Sequence, residues 1–287
     1  MAGHDMTARL RAVLDRINEA DAIVIGASNG LSIAEGINIF ADDASFLRHF
    51  GEFREQHGFR SIIRGCFHPY RSATQRWAFH SRMHAYFLGN GQPSQVMQDL
   101  YSLVKNKRHF VVTSNIDAHF HLAGFDPERL FEIEGNCRNL QCARACHDRL
   151  YPGDELLAEM ARAQQDGTVP ESLAPRCPEC GGAMEVHIEV DPLFLKGAHW
   201  QTRRQAFVDF MVEAQGKKIV FLELGVGSRN RLIKAPLMQM ARHEPHASYL
   251  CFNRGAEVYV LDELAEKSIG IDGDIASVLR QLAVMAA

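Results

Sequence analysis

The chain alternates between two patterns of hydrophobic and polar positions. Short apolar runs that end in glycine or a small polar residue are typical of strands buried in a parallel sheet. Apolar residues three or four positions apart indicate amphipathic helices between those runs. The predicted strands are 22–27, 109–114, 218–224, 248–253 and 257–261, with a shorter one at 129–132. The predicted helices cover 6–19, 96–104, 207–214 and 275–282. This alternation predicts an α/β fold with a Rossmann-like, doubly wound parallel sheet.

Two segments interrupt the alternation. Residues 41–92 are rich in aromatic side chains, and residues 136–192 contain five of the seven cysteines together with several turn residues. We expect the two insertions to pack together as a smaller domain, made of a helical insertion (41–92) and a cysteine module (136–192). The remaining segments, 1–40, 93–135 and 193–287, then form the larger domain around the sheet.

Composition narrows the choice of partner and compartment. The 287 residues are 46% hydrophobic and carry a net charge of −4, which argues against general nucleic-acid binding because that function needs a basic surplus. The chain contains no apolar run of the ~18 residues that a membrane span requires. Its first twenty residues are charged throughout, unlike a secretory signal. An odd number of cysteines argues against a disulfide framework. We therefore expect a cytoplasmic protein with no nucleic-acid or membrane partner.

The cysteine spacing predicts a metal site. Cys142 and Cys146 are followed about thirty residues later by Cys177 and Cys180, in the sequence CPECGG. Two such pairs suit tetrahedral zinc bound by four thiolates at about 2.3 Å, which is a closed and therefore structural site. Cys137 is an alternative to Cys142 as a ligand, or a small buried hydrophobic residue.

Three glycine-rich or polar turns follow predicted strands. They are Gly26 to Gly36, Leu224 to Asn230, and Phe252 to Gly255. Turns at the carboxyl ends of parallel strands lie at one edge of the sheet, where glycine lets backbone N–H groups approach a phosphate. Together the turns predict a dinucleotide-binding crevice. A fourth segment, TSNID (Thr113 to Asp117), leaves another strand at the same edge.

The order of these motifs resembles that of the sirtuin family. GLSIAEGI, TSNID, EIEG, four cysteines, LGVGS and FNRG follow one another over nearly all of residues 20–262. The resemblance implies a Rossmann-type large domain, a small zinc-containing domain and NAD in the cleft between them. It assigns NAD contacts to Gly26, Ala27, Ser28, Asn29, Gly30, Ser32, Phe40, Ser114, Asn115, Asp117, Gly225, Val226, Gly227, Asn253 and Arg254. It makes Asn115, Asp117 and Glu134 the catalytic candidates. Asn115 would position the ribose hydroxyls or an ordered water, and Asp117 would bind the nicotinamide carboxamide or orient the loop.

Several positions depart from the ordinary sirtuin pattern. Glu134 replaces the catalytic histidine, Ser114 replaces a glutamine, and Gly36 to Ala41 lacks the usual Pro, Asp and Arg. The peptide-pairing motif that usually ends in FGE reads IEVDPLF here, from Ile188 to Phe194. These features are closest to the macrodomain-linked microbial sirtuins, called class M. That class implies protein ADP-ribosyl transfer to a lipoylated carrier of the glycine-cleavage H type, with a macrodomain hydrolase as a further partner.

Glu134 decides between the reactions that this resemblance allows. A deacylase needs a base near neutral pH, which histidine supplies and which a glutamate of ordinary pKa supplies less well. A carboxylate suits stabilisation of positive charge on the ribose, or deprotonation of a protein acceptor. We therefore expect an NAD-dependent ADP-ribosyltransferase. The alternatives are an NAD-dependent protein-lysine deacylase, an NAD glycohydrolase, and an NAD or ADP-ribose sensor.

Histidines and arginines near these motifs have two interpretations each. His119 and His121 follow Asp117 closely, and His80 and His84 lie one helical turn apart, but neither pair has an evident third metal ligand. We interpret both pairs as structural or cleft-lining. Three arginines lie close to the nucleotide turns and are either phosphate ligands or solvated surface residues: Arg229, Arg231 and Arg254.

Overall fold

The computed structural model describes the backbone of residues 2–287, with side chains from residue 5 onward. The strands are, in chain order, β1 Ala22–Ala27, β2 His109–Thr113, β3 Leu130–Glu132, β4 Gly135–Cys142, β5 Tyr151–Pro152, β6 Met184–Ile188, β7 Ile219–Leu224, β8 Ser248–Asn253 and β9 Ser268–Asp272. The helices are α1 Ala2–Glu19, α2 Asn29–Ala34, α3 Ala44–His57, α4 Ile62–Cys66, α5 Ala73–Leu88, α6 Gln95–Val104, α7 His119–Leu122, α8 Asp154–Ala163, α9 Ala198–Ala214, α10 Lys234–His243 and α11 Ile275–Ala286. None of the helices described is both long and apolar enough to cross a membrane.

The larger sheet is parallel throughout and has the order β3-β2-β1-β7-β8-β9. The first strand, β1, lies in the middle of the sheet. Strands β2 and β3 are then added on one side of it, and β7, β8 and β9 are added later on the other side. Strand order therefore reverses at β1, which pairs with β2 on one side and β7 on the other. In such sheets the loops at the carboxyl ends separate at this point and leave a crevice for a ligand.

Both faces of this sheet are covered by helices. Strand β1, AIVIGA, is buried along its whole length, as its uninterrupted apolar run requires. Leu10 of α1, Leu100 of α6 and Leu279 of α11 belong to the core on one face. Phe210 of α9 and Leu237 of α10 belong to the core on the other. The predicted Rossmann-like, doubly wound sheet is confirmed.

The two insertions share a core of their own. Phe50 and Trp77 of the helical insertion are buried in one cluster with Leu140, Met160 and Val186 of the cysteine module. The cysteine module adds a small antiparallel sheet of order β5-β4-β6. The predicted architecture, in which a helical insertion and a cysteine module form one smaller unit, is confirmed. One aromatic residue of the insertion, Phe67, is instead more than half exposed.

One predicted strand is wrong. Residues 257–261 form no strand; the chain there leaves a short 3-10 helix, Gly255–Glu257, and enters another, Asp262–Lys267. Val258, Val260 and Leu261 instead pack, partly buried, against the α10 side of the core, while Tyr259 is about half exposed. The edge position beside β8 belongs to β9, Ser268–Asp272, whose mixed polar and apolar sequence shows no continuous hydrophobic run. The hydrophobic run therefore reflects partial packing of three side chains against the core and not strand pairing.

A buried ion pair joins β7 to α10. Lys234 donates to both carboxylate oxygens of Glu223, at 2.7 and 2.9 Å, and neither side chain is more than 2% exposed. Tyr249 also donates its hydroxyl to Glu223, and Lys234 reaches the carbonyl oxygen of Glu257 at 3.2 Å. Lys234 therefore connects the end of the loop after β7 with both β7 itself and the segment that follows β8.

Breaking this pair is expected to destabilise the fold strongly. Lys234→Met leaves the Glu223 carboxylate buried without its cation, which costs about 3–5 kcal/mol of unfolding free energy. Urea unfolding followed by circular dichroism measures the change. The double variant Glu223→Gln, Lys234→Met removes both charges and is expected to recover part of the loss. Lys218→Met serves as the control because its pair with Glu19 is exposed and should contribute less than about 0.5 kcal/mol. Equal effects of Lys234→Met and Lys218→Met would contradict the prediction.

Candidate functional site

The first two glycine turns are in direct backbone contact at the point where strand order reverses. Gly30 donates its N–H to the carbonyl oxygen of Gly225 at 3.0 Å. A Cβ at Gly30 would lie 2.5 Å from the Gly225 Cα, and Gly225 itself has φ of 63°. Gly225 in turn donates to the carbonyl of Phe252, the residue before Asn253. The three predicted turns therefore meet at one edge of the sheet.

A cavity of about 270 Å³ opens beside these turns, between the two domains. Its polar wall comes from both domains and comprises Ser28, Asn29, Ser114, Glu134, Glu189 and Asn230. Its apolar wall comprises Ile39, Phe40, Ile63, Cys66, Phe67, Ile116, Ile188 and Val190. The cavity thus combines a few convergent polar groups with a hydrophobic lining, as small-molecule sites commonly do.

A second cavity of about 200 Å³ lies between α2, the third turn and the first residue of α11. It is lined by Gly30, Ile33, Ala34, Asn253, Arg254, Asp274 and Ile275. Asn253 donates its side-chain amide to the carbonyl of Val226 at 2.9 Å. Arg254 pairs with Asp274 at 2.9 Å and is largely exposed. Gly30 lines this second cavity and its neighbour Asn29 lines the first, so the two cavities border adjacent residues of the first glycine turn.

The TSNID segment is tied to the first glycine turn. Ser114 donates its hydroxyl to Ser28 Oγ at 3.0 Å, and Asn115 donates its amide to the carbonyl of Ser28 at 3.2 Å. Asn115 Oδ1 is buried and has no hydrogen-bond partner among the residues described. A buried acceptor without a donor is costly, so this oxygen is suited to accept a hydrogen bond from a ligand or a water.

Both carboxylate oxygens of Asp117 are engaged inside the protein. Ser32 of α2 donates its hydroxyl to Oδ2 at 2.5 Å, and the backbone N–H of His119 donates to Oδ1 at 3.0 Å. Asp117 is buried, and these bonds connect the loop after β2 with α2. Of the two predicted roles for this residue, the geometry favours orientation of the loop.

Asn230 is a residue of this site that the sequence analysis did not single out. Its Oδ1 accepts from the N–H groups of Leu232 and Ile233, and its Nδ2 points to Ser28 Oγ and Ser114 Oγ at 3.4 Å. It therefore joins the turn after β7 to the other two segments of the crevice. The only sequence signal was its place at the end of the turn Leu224 to Asn230, where asparagine is common for local reasons.

Glu134 lies where β3 passes into β4 and faces the first cavity. Burial and the nearby Glu189 carboxylate together raise the pKa of its carboxyl group to about 7, although Lys196 opposes the shift. The carboxyl group thus titrates near neutral pH, unlike an ordinary glutamate. This proton affinity suits a group that accepts a proton during a reaction.

The four cysteines predicted as metal ligands converge at the end of the small sheet. Their sulfur atoms all lie within 4.8 Å of one another, with Cys142 and Cys180 at 3.7 Å and Cys146 and Cys177 at 3.6 Å. Cys137 is fully buried in the core shared by the two insertions and is not part of this group. The alternative in which Cys137 replaces Cys142 therefore lacks geometric support.

The remaining histidines and arginines have structural or surface positions. His80 and His84 are buried in α5, and His84 contacts Asp154 of α8 at 2.9 Å. His121 contacts Glu132 at 3.2 Å. Arg229 and Arg231 are exposed. Glu35, Asp117 and His119 lie close together, but both ring nitrogens of His119 already bind protein atoms, so these residues are not a metal site.

Comparison with known proteins agrees with this geometry. The model of the "Sir2 family" matches residues 26–190. A protein ADP-ribosyltransferase of Staphylococcus aureus (strain Mu50) is 30% identical over 277 residues, which are 96% of this chain and 87% of the relative. A probable bifunctional ADP-ribose hydrolase/ADP-ribosyltransferase of Fusarium oxysporum f. sp. cubense is 29% identical over 225 residues, 74% of this chain but only 36% of the relative.

Solved structures share the fold. A Sir2 homologue in complex with NAD has a TM-score of 0.62 at 15% identity, covering 96% of this chain and 93% of that one. A Sir2 protein bound to an acetylated peptide has a TM-score of 0.56 at 16% identity, covering 96% of this chain and 98% of that one. The family model covers more than half of the chain and the bacterial relative covers nearly all of it, so this chain belongs to the Sir2 family.

Proposed function

We propose that this protein is an NAD-dependent protein ADP-ribosyltransferase of the sirtuin type, closest to class M, which releases nicotinamide and modifies a protein acceptor. The observation that carries the proposal is Glu134: a carboxyl group with a pKa near neutrality stands in the wall of the cavity, at the position of the ordinary sirtuin histidine. Both curated relatives that match are named as ADP-ribosyltransferases, which supports the same reaction class.

The crevice fits a dinucleotide. The close approach of Gly30 and Gly225 leaves no room for a side chain and exposes backbone where a pyrophosphate would lie. The unpartnered Oδ1 of Asn115 suits a ribose hydroxyl or an ordered water that a ligand holds. Asn253 and Arg254 line the second cavity, on the side proposed for the adenosine end. The other NAD contacts proposed are Gly26, Ala27, Ser28, Asn29, Ser32, Phe40, Ser114, Asp117, Val226 and Gly227.

Transfer requires the nicotinamide–ribose bond to break and a bond from the acceptor to form at the same ribose carbon. Nicotinamide leaves with the electron pair, and the acceptor loses one proton. We assign Glu134 as the group that takes this proton or stabilises positive charge on the ribose. Asn115 and Asp117 keep the reacting end in one orientation, and the cavity walls keep bulk water out.

Transfer activity is therefore expected to rise with pH through about 7. Below that pH Glu134 is protonated and cannot accept the proton; above it the carboxylate is present. Glu134→Gln keeps the size of the side chain but cannot titrate, so the rise in rate through pH 7 should disappear. The substitution is expected to slow transfer by a factor of about 10²–10⁴. Initial rates between pH 5.5 and 9 measure both effects. Wild-type rates in Glu134→Gln, with NAD binding unchanged, would contradict the assignment.

The acceptor is proposed to be a lipoylated carrier protein of the glycine-cleavage H type. The first cavity supports this because its apolar wall includes the exposed side chains of Phe40 and Phe67, and the same cavity is lined by Glu134. Such a wall suits a long aliphatic arm better than a free polar side chain. A macrodomain hydrolase is a further proposed partner, since the name of the fungal relative combines an ADP-ribose hydrolase with a transferase.

Labelled NAD tests the proposed reaction and its acceptor together. The purified protein is incubated with NAD labelled on the adenylate and with the same carrier in lipoylated and unlipoylated form. We expect label on the lipoylated carrier and its loss in Asn115→Ala. Free ADP-ribose with no labelled protein would identify a glycohydrolase, and turnover of an acyl-lysine peptide would identify a deacylase. Intact NAD despite binding would identify a sensor.

We propose zinc as the ion held by Cys142, Cys146, Cys177 and Cys180. Four cysteine sulfurs within a few ångströms of one another are the donor set that structural zinc prefers. All four ligands would come from the protein, so the ion stabilises the module and takes no part in transfer. Since thiolates must stay reduced to bind it, we also propose a cytoplasmic location; none of the described cysteines forms a disulfide.

Removal of one sulfur is expected to release the ion and loosen the small domain. Cys177→Ser should lose bound zinc, measured by elemental analysis, and should unfold at a lower temperature than the wild type. Cys137→Ala is the matched control: its side chain is buried in the same domain but outside the sulfur group, so zinc content should stay at one per chain. Zinc retained at full occupancy in Cys177→Ser would contradict the ligand set.

A further inference from the structure

A buried polar network surrounds His119 at the junction of the two domains. His119 Nδ1 lies 2.9 Å from Glu35 Oε2, and His119 Nε2 lies 2.8 Å from the carbonyl oxygen of Phe87. The same Glu35 oxygen accepts from the hydroxyl of Ser94 at 2.6 Å. The side chains of His119 and Glu35 are only 9% and 2% exposed. We call these four residues, together with Asp117, the His119 network.

All of these hydrogen bonds are satisfied when both ring nitrogens of His119 carry a proton. A carbonyl oxygen only accepts, so Nε2 donates to Phe87. Glu35 already accepts from Ser94, and an ionised carboxylate only accepts, so Nδ1 donates as well. A neutral ring would turn a lone pair toward the Glu35 carboxylate. The geometry therefore describes an imidazolium that is paired with a buried carboxylate.

The network connects elements that surround the cofactor crevice. Glu35 directly follows α2, the helix that carries Ser32, and Phe87 belongs to the last turn of α5 in the helical insertion. The backbone N–H of His119 donates to Asp117, which accepts from Ser32 through its other oxygen. His119 thus reaches α2 by two routes, through Glu35 and through Asp117.

Helix α2 depends on such external contacts. It is six residues long, and Ser28, which precedes it, forms no side-chain cap. Short helices gain little from their own hydrogen bonds, so packing decides their position. Between Asp117 and His119, Ala118 has φ of 61°, a left-handed conformation that is unfavourable for a residue with a Cβ. The bonds on both sides of Ala118 hold this turn in place.

We propose that His119, acting as a buried cation, is a positioning residue for NAD: it holds α2, the Asp117 loop and the helical insertion in the arrangement that binds the cofactor. The proposal rests on the proposed function in so far as NAD is the ligand. His119 contacts no part of the cavity itself, so its effect is on affinity and not on the chemical step.

The proposal predicts a loss of NAD affinity at alkaline pH. Burial lowers the pKa of His119, but Asp117 on the loop side, Glu35 on the α2 side and the Phe87 carbonyl of α5 together outweigh burial. The pKa of His119 is therefore raised to about 9. Ser94, the residue before α6, is neutral, and His121, which shares α7 with His119, is directed to Glu132. A histidine with a raised pKa stabilises the folded state fully below its unfolded pKa of about 6.5 and loses that contribution as pH rises through about 9.

The test measures the NAD dissociation constant by calorimetry between pH 6.5 and 10. In the wild type we expect affinity to fall as pH passes about 9. In Glu35→Gln the charge that favours the imidazolium is removed, so this inflection should move toward neutral pH by about one unit or more. His119→Gln should show no inflection and should bind NAD about tenfold more weakly at pH 7, because it loses charge-assisted hydrogen bonds. His121→Gln, two residues further along α7 and outside the His119 network, is the matched control and should behave as the wild type.

A second measurement does not depend on NAD or on stable variants. Nitrogen NMR of the ring of His119 in the wild-type protein reports whether both ring nitrogens carry protons at pH 8. We expect the doubly protonated form. A neutral ring at pH 8, or unchanged NAD affinity in His119→Gln, would overturn the inference. Absence of NAD binding to the wild type at every pH would instead contradict the proposed function, while the ring titration would still decide the state of the network.

Discussion

The backbone contact between Gly30 and Gly225 is the constraint on which the site depends. It brings two turns from distant parts of the chain within one hydrogen bond of each other, and a Cβ at either glycine would separate them. Because β1 and β7 are neighbours in the sheet, the contact lies where strand order reverses. The cavities that the proposal assigns to the two ends of NAD both border this point, so the position of α2 controls both.

Buried charges hold the elements around that contact. Glu223 and Lys234 join β7 to α10, below the turn that ends at Asn230. The His119–Glu35 pair lies on the other side, between α2 and the helical insertion. A buried ion pair contributes less to stability than its Coulomb attraction suggests, because both charges lose their hydration. Its value here is directional: each pair joins two elements through specific hydrogen bonds and so aligns a loop of the site.

The proposed change of reaction follows from a change of environment as well as of residue. A glutamate in water is a weak base at neutral pH, so replacement of a histidine by Glu134 alone would reduce proton transfer. Burial in the cavity wall, beside Glu189, returns the pKa to about 7. The cavity thus retains a group that titrates near neutrality, but one that becomes negative on losing its proton, whereas histidine becomes neutral.

The order of motifs was enough to predict the sheet, the two insertions and the family, because glycine turns, buried strands and paired cysteines depend on local chemistry. Residues 257–261 show the limit: their apolar run reflects packing, and the edge strand β9 has no such run. Tertiary structure alone decided that the cysteine group excludes Cys137, that Asn230 joins the crevice, and that His119 is a buried cation. Each of these depends on a partner far away in the chain, and neither the distance nor the burial that sets its chemistry is encoded in local sequence.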